Sequence, residues 1–178
     1  MKDTIPDEKV EILRDNCNNL RDRALIDFLL STGIRVGELV RLNIDDIDFS
    51  ERECVVYGKG DKERKAYFDA KTKIHLLNYY IASRTDDNSA LFVSLNKPHS
   101  RLTESGVELR LREMGKKLGV EKVHPHKFRR TMATRAIEKG MPIEQVQKIL
   151  GHEQIDTTLR YAMVNQNNVK LSHRKFIS

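Results

Sequence analysis

The chain has 178 residues, 39% hydrophobic and 33% charged, with two cysteines and no tryptophan. That length and apolar content support one domain with its own core, which excludes a disordered chain and one that depends on disulfide staples. The net charge of +6 is unevenly spread: residues 1–50 hold seven Lys/Arg against eleven Asp/Glu, and residues 51–178 hold twenty-five against fifteen. A basic lobe of this kind suits a polyanionic partner, nucleic acid first, although solubility alone is the simpler reading of the charge. The best apolar stretch, Ala24–Leu30, is broken by Asp27 and is far too short to span a membrane. The opening residues MKDTIPDEKV lack the apolar core of a signal peptide. Cys17 and Cys54 belong to no C-x-x-C or Cys/His cluster, so no structural zinc is expected, and a reducing cytoplasm is the expected setting.

In chain order, Pro6-Asp7-Glu8 starts a helix that fades near Asn16–Asn19. Leu20, Ala24, Leu25, Phe28 and Leu29 recur at helical spacing over Leu20–Thr32, and Gly33 fits the stop. A short helix over Val36–Leu42 follows. The period then changes. Ile44, Ile47 and Phe49, then Cys54–Tyr57, then Ala66–Phe68 read as short strands. Between the last two, Gly58-Lys59-Gly60-Asp61-Lys62-Glu63-Arg64 supplies the residues of a tight reversal. Ala70–Ser83 reads as a helix with Ile74, Leu77, Tyr80 and Ile81 on one side, and Leu91–Val93 as a short extended piece. Helices are expected over Thr103–Leu118, Lys127–Lys139 and Ile143–Leu150, closed by Gly119, Gly140 and Gly151. A last short helix follows from Asp156 or Thr157 to Ala162, and the polar tail 164–178 reads as extended or detachable. The fold class is α+β, predominantly helical, with one small antiparallel sheet of three strands.

Six residues beside turns or helix ends could carry chemistry: Arg35, Lys59, His126, Arg129, His152 and Tyr161. Each alone has an ordinary reading. Arg35 could cap a helix or pair with Glu38, Lys59 could be a solvated turn lysine, His152 a helix cap and Tyr161 a packing residue. An H-x-x-R pair such as His126/Arg129 arises easily by chance in a chain with sixteen arginines, although residues three apart do share a helix face. The ordered set is far more specific than any member. In TGIRVGEL, GKGDKER, HPHKFRRTMAT and LGHEQIDTTLRYA, the chain resembles the catalytic domain of the tyrosine recombinase (phage integrase) family over nearly its whole length.

That resemblance implies the DNA breaking-rejoining catalytic-domain fold and a metal-independent reaction with no cofactor. Tyr161 would attack a DNA phosphodiester, and the product would be a 3′-phosphotyrosine link and a free 5′-hydroxyl. A free tyrosine has a pKa of about 10, so its proton needs an acceptor, for which His126 is the family candidate. Arg35 and Arg129 would clamp the phosphate with planar forks of donors, His152 would donate to a non-bridging oxygen, and Lys59 would protonate the departing oxygen. Lys62, Arg64, Lys127, Arg130 and Arg135 are candidates for phosphate contacts that position double-stranded DNA. The acidic cluster Asp45, Asp46 and Asp48 reads as a solvated turn and not a metal site. Family members usually carry a preceding helical DNA-clamping domain, so residues 1–178 are expected to be the catalytic domain without it. The full-length protein is expected to act as a homotetramer on DNA, with the tail exchanged onto a neighbour through Val164, Val169, Leu171 and Phe176. The isolated domain could be a monomer. Two other readings stay open: a non-catalytic DNA-binding relative, and a DNA-relaxing enzyme of type IB topoisomerase kind.

Overall fold

A computed structural model describes residues 4–58, 60, 62–151 and 166–177. Helix α1 (Asp7–Asp15) starts after Pro6 with Asp7 and Glu8 in its first turn, where acids complement the helix dipole. Helix α2 (Leu20–Thr32) is capped by Asn19, whose side chain accepts the Asp22 amide, and it ends on Gly33 in the left-handed conformation. It is the axis of the domain. Ala24, Leu25, Ile26, Phe28 and Leu29 are all fully buried, and the Phe28 ring lies 5.8 Å from Phe68 and 5.9 Å from Phe92. Leu20, by contrast, faces outward at the first turn.

Burying α2 on nearly every side also buries its charges, which must then be paired. The Asp27 carboxylate accepts from Arg14 Nε at 2.8 Å and Arg23 Nε at 3.2 Å. Asp22 is flanked by Arg21 Nη2 at 2.8 Å and Arg110 Nη2 at 2.7 Å, which ties α2 to the helix over Glu104–Leu118.

Helix α3 (Val36–Arg41) is followed by a 3-10 turn over Ile44–Asp46 and then the sheet: β1 (Ile47–Asp48), β2 (Glu53–Tyr57) and β3 (Glu63–Tyr67). All pairings are antiparallel in the order β1-β2-β3, with Cys54 opposite Ala66 and Tyr57 opposite Glu63. Cys54, Val56 and Ala66 point into the core, as the period of two requires. Burial pushes the Cys54 thiol up to about 12. The strands differ from expectation at their ends. Ile44 sits in the 3-10 turn, and Phe68 lies beyond β3. The carboxylates of Asp46 and Asp48 serve this turn region, accepting the Asn43 and Glu51 amides respectively.

The helix expected over 70–83 has a different character. Helix α4 (Ala70–Lys73) continues into a wider π-type turn over Ile74–Ile81, with i→i+5 bonds. About one added residue per turn rotates the faces. Leu76 and Tyr80 are buried, whereas Ile74, expected inside, is exposed. Tyr80 stacks on Phe92 and accepts the Val93 amide at 3.0 Å. The 91–93 piece is extended, with single bridges from Ala90 to Asn43 and from Val93 to Arg101.

Helix α5 (Glu104–Leu118) is capped by Thr103, and α7 (Ile143–Leu150) ends on Gly151, as expected. Helix α6 (Pro125–Glu138) begins two residues early because His124 Nδ1 accepts the Lys127 amide and Pro125 supplies a first-turn backbone angle. A second small core of Ala133, Ile137, Ile143, Val146 and Leu150 joins α6 to α7. The tail corrects the extended reading: α8 (Gln166–Phe176) is helical and packs on α6. His173, Arg174 and Lys175 occupy its last turn, where cations favour the dipole. Asn168 is buried, whereas Val169, Leu171 and Phe176 are exposed. The helix expected from 156 to 162 lies outside the described residues. Among the described residues no helix is long and apolar enough to cross a membrane.

Candidate active site

Three of the six candidate residues lie within the described chain: Arg35, His126 and Arg129. Lys59, His152 and Tyr161 lie outside it. Arg35 is the N-cap of α3. It leaves the left-handed Gly33 through an extended backbone, and its amide donates to Glu38 Oε1 at 3.0 Å. Its side chain is 43% exposed, with Nη1 3.8 Å from Glu38 Oε2. The helix-cap reading of Arg35 is therefore true of its backbone, while its guanidinium remains open to solvent.

Arg129 is the opposite case. Its side chain is on the inner face of α6, one turn in, and the residue is only 4% exposed. The guanidinium donates to the Gly33 carbonyl and, at 3.0 Å, to the Leu150 carbonyl. Those carbonyls end α2 and α7, so one buried fork ties together the turns that carry Arg35 and Gly151. Burial, then the nearby Arg35 and Arg64 cations, depress the Arg129 pKa to about 9. A desolvated cation beside other cations is held at a cost that a bound anion would relieve. His126 is exposed in the first turn of α6, with its ring stacked at 6.4 Å on that of His124. Arg35, His126 and Arg129 open onto one cleft of about 1150 Å³, whose lining also includes the cations Arg112, Lys116 and Lys122 against the carboxylates Glu108 and Glu121. The structure thus brings these three together at an anion-friendly concavity.

The other basic candidates are dispersed. Lys62 is exposed at the hairpin. Lys127 reaches the Glu121 carbonyl at 3.0 Å, Arg135 pairs with Asp7 at 2.6 Å, and Arg130 is half-buried. Arg64, expected toward DNA, turns inward instead. Its Nε donates to Glu38 Oε2 at 3.1 Å, its Nη2 to Glu38 Oε1 at 2.6 Å and its Nη1 to the Ile149 carbonyl. Glu38, expected from sequence only as a partner of Arg35, is the hub that joins Arg35 and Arg64. Burial pushes its carboxyl up, but the Arg64 hydrogen bond and the Arg35 amide outweigh this and hold it below 4.5.

A helical domain with a three-stranded antiparallel sheet, and a buried arginine meeting a second arginine over an open cleft, has the catalytic-domain fold of the tyrosine recombinases. The "XerA recombinase" crystal structure superposes with a TM-score of 0.81 at 33% identity, covering 97% of this chain and 64% of that one. The Tn1549 transposon integrase bound to a circular intermediate DNA shares the fold, with a TM-score of 0.79 at 21% identity, over 97% of this chain and 65% of that one. The phage integrase family model matches residues 4–168, and the chain belongs to that family. A curated relative, "Tyrosine recombinase XerC" of Staphylococcus aureus, is 38% identical over 163 residues, 88% of this chain and 53% of the relative. The chain thus spans about half the length of the curated relatives it matches.

Proposed function

We propose that this chain is the catalytic domain of a site-specific DNA recombinase that cleaves and rejoins strands through a 3′-phosphotyrosine intermediate. The observation that carries the reading is the Arg129 fork. It is buried, hydrogen-bonded to two carbonyls, depressed in pKa by its surroundings, and set on a cleft it shares with Arg35 and His126. A guanidinium held in place in this way, with that of Arg35 on the same cleft, suits a phosphate whose negative charge grows in the transition state. In the reaction, Tyr161 Oη attacks phosphorus and passes its proton to His126. The bond to the 5′-oxygen breaks, and that oxygen takes a proton from Lys59. Arg35, Arg129 and His152 hold the non-bridging oxygens. Bond energy is kept in the phosphotyrosine, so a 5′-hydroxyl from a second duplex can reverse the step without a cofactor.

The named DNA complexes among the structural neighbours agree with double-stranded DNA as the partner, which Lys62, Lys127, Arg130 and Arg135 would help to hold by its phosphates. The full-length protein would work in the cytoplasm as a homotetramer on two sites. The test is a covalent-adduct assay on a labelled pool of nicked duplexes with a randomised core, with chelator present. Wild type should give a denaturation-resistant protein–DNA band and Tyr161→Phe should not. DNA binding without any adduct, by this chain and by the full-length protein alike, would move the reading to a binding module.

A further inference from the structure

Arg64 was a natural candidate for a DNA phosphate contact, since it closes the basic hairpin Gly58–Arg64. Its surroundings point elsewhere. Only 12% of its side chain is exposed, and its Nε, Nη1 and Nη2 all donate within the protein. Two go to the buried Glu38 carboxylate, which itself accepts the Arg35 amide. The third goes to the Ile149 carbonyl at the last turn of α7. The contact is close on every side. A Cβ built on Gly151 would lie 2.8 Å from Arg64 Cδ and 3.5 Å from Arg35 Nη1, and one on Gly58 would lie 3.4 Å from Glu38 Oε2. Arg64 therefore stands where three segments meet: the first residues of β3, the start of α3, and the turn from α7 toward residue 152.

We propose that Arg64 is a positioning residue: it braces the hairpin that carries Lys59 against the Arg35 cap and the end of α7, and so sets where the leaving-group proton is delivered. The inference deepens the recombinase reading and rests on it for its catalytic part. In sequence Lys59 lies five residues before Arg64, and the hairpin between β2 and β3 is closed by the Gly58 amide to Lys62 carbonyl bond at 2.9 Å. Cys54, Val56 and Ala66 fix the strands in the core, and the hairpin end beyond them takes its orientation from what fastens it to α3 and α7. The Arg64 fork is that fastening, and lysine cannot copy it, because one ammonium on a flexible stem does not span a carboxylate and a carbonyl in fixed planar geometry.

The test compares wild type, Arg64→Ala, Arg64→Lys and Tyr161→Phe on a nicked duplex selected from the randomised pool. Two versions of that duplex are made, one with the natural 5′-oxygen at the scissile bond and one with a 5′-bridging sulfur. A thiol has a pKa of about 8.5, so a thiolate departs without a donated proton, whereas an alkoxide does not. If Arg64 sets the hairpin, Arg64→Ala should lose on the order of 100-fold in cleavage of the oxygen substrate, the low end of a general acid's contribution. It should recover to within about 3-fold of wild type on the sulfur substrate, because sulfur removes the need for that acid. Arg64→Lys should be only partly rescued on oxygen. Binding by Arg64→Ala should keep the wild-type salt slope, whereas loss of one phosphate contact would lower it by about 0.9. A defect of equal size on both substrates, or a lowered salt slope, would overturn the proposal.

Hydrogen exchange provides a readout independent of chemistry. Arg64→Ala should speed exchange at the Gly58 amide and in the last turn of α7 while leaving α1 unchanged. Unchanged exchange at those sites would also refute the brace. Failure of wild type to form any adduct would count against the recombinase reading, and the exchange result would still decide the brace.

Discussion

Substituting Gly33 tests the scaffold that holds Arg129. Gly33 has φ of +63°, and a Cβ there would lie 2.1 Å from Met132 Cε and 3.1 Å from a Leu150 Cδ. Gly33→Ala therefore carries two costs. The left-handed backbone costs a non-glycine residue roughly 1–2 kcal/mol. Overpacking against Met132 and Leu150 adds about 1–3 kcal/mol, since Met132 must leave its rotamer. Loss of unfolded-state freedom returns about 0.4–1 kcal/mol. The net is a destabilisation of about 2–4 kcal/mol, or on the order of 5–15 °C in Tm for a domain of this size. Urea unfolding of wild type, Gly33→Ala, Met132→Ala and the double variant measures it. The steric part should reappear as a favourable coupling of about 1 kcal/mol or more between the two sites, because Met132→Ala makes room for the new methyl. Since the Gly33 carbonyl is an Arg129 acceptor, Gly33→Ala should also weaken DNA binding before it unfolds the domain. A destabilisation under about 0.5 kcal/mol with no coupling would refute the close packing of α2's end on α6, and with it the account of how Arg129 is held.

His124→Ala should cost about 1 kcal/mol by removing the α6 cap, and His124→Ser should recover most of it; thermal melts decide. Asp27→Asn should destabilise by about 3 kcal/mol or more in urea unfolding, because Arg14 and Arg23 keep their charges without a buried counter-charge. Acid titration should expose Glu38 and Asp22, whose folded pKa values lie below 4.5 and 3.8 despite burial, because Arg64 and the Arg35 amide hold the first and Arg110 and Arg21 the second. Their stabilisation is full above those unfolded values and is lost as pH falls through the folded ones, so Tm should drop below about pH 4, and Glu38→Gln should flatten the profile. The sign reverses for Arg129: burial and the nearby Arg35 and Arg64 cations lower its folded pKa to about 9, well below the usual arginine range, so its charge opposes folding below pH 9 and this opposition fades above it. Inorganic sulfate should therefore raise Tm at pH 7.5 and do so less at pH 10, and an equal gain at both would contradict the assignment.

The legible parts of the fold are those that side chains announce. Leu20–Thr32 ends on Gly33 and Ile143–Leu150 on Gly151 because helix period and a left-handed stop are both written in residue types. The π-type turn over Ile74–Ile81 was hidden, since the apolar residues fit a regular helix equally well and only packing against α2 decides between them. In the tail, polar composition hides an ordinary helix whose one buried position among the described side chains is an asparagine. In the site, the ordered residues and the family resemblance pointed to Arg35, His126 and Arg129 together. They said nothing of the inward turn of Arg64, because a basic residue in a basic hairpin has the same sequence signature whether it faces DNA or a buried glutamate.

Arg35 and Arg129 line the same cleft but differ in exposure because of what holds each of them. Arg129 is gripped by the carbonyls of Gly33 and Leu150, and carbonyls leave no mark in a sequence. Having spent those donors inside, it offers charge and any remaining N–H groups from a fixed place, with little motion left to lose when an anion arrives. Arg35 has its backbone fixed by Glu38, but its half-solvated side chain is held only by a long 3.8 Å ion pair to the same carboxylate and must be ordered on binding. Replacing Arg129 by lysine should therefore do more harm than replacing Arg35 by lysine. A single ammonium cannot bridge Gly33 and Leu150 while facing the cleft, whereas at position 35 it keeps an exposed charge near the phosphate. Equal loss of adduct formation in the two lysine variants would contradict that division of roles.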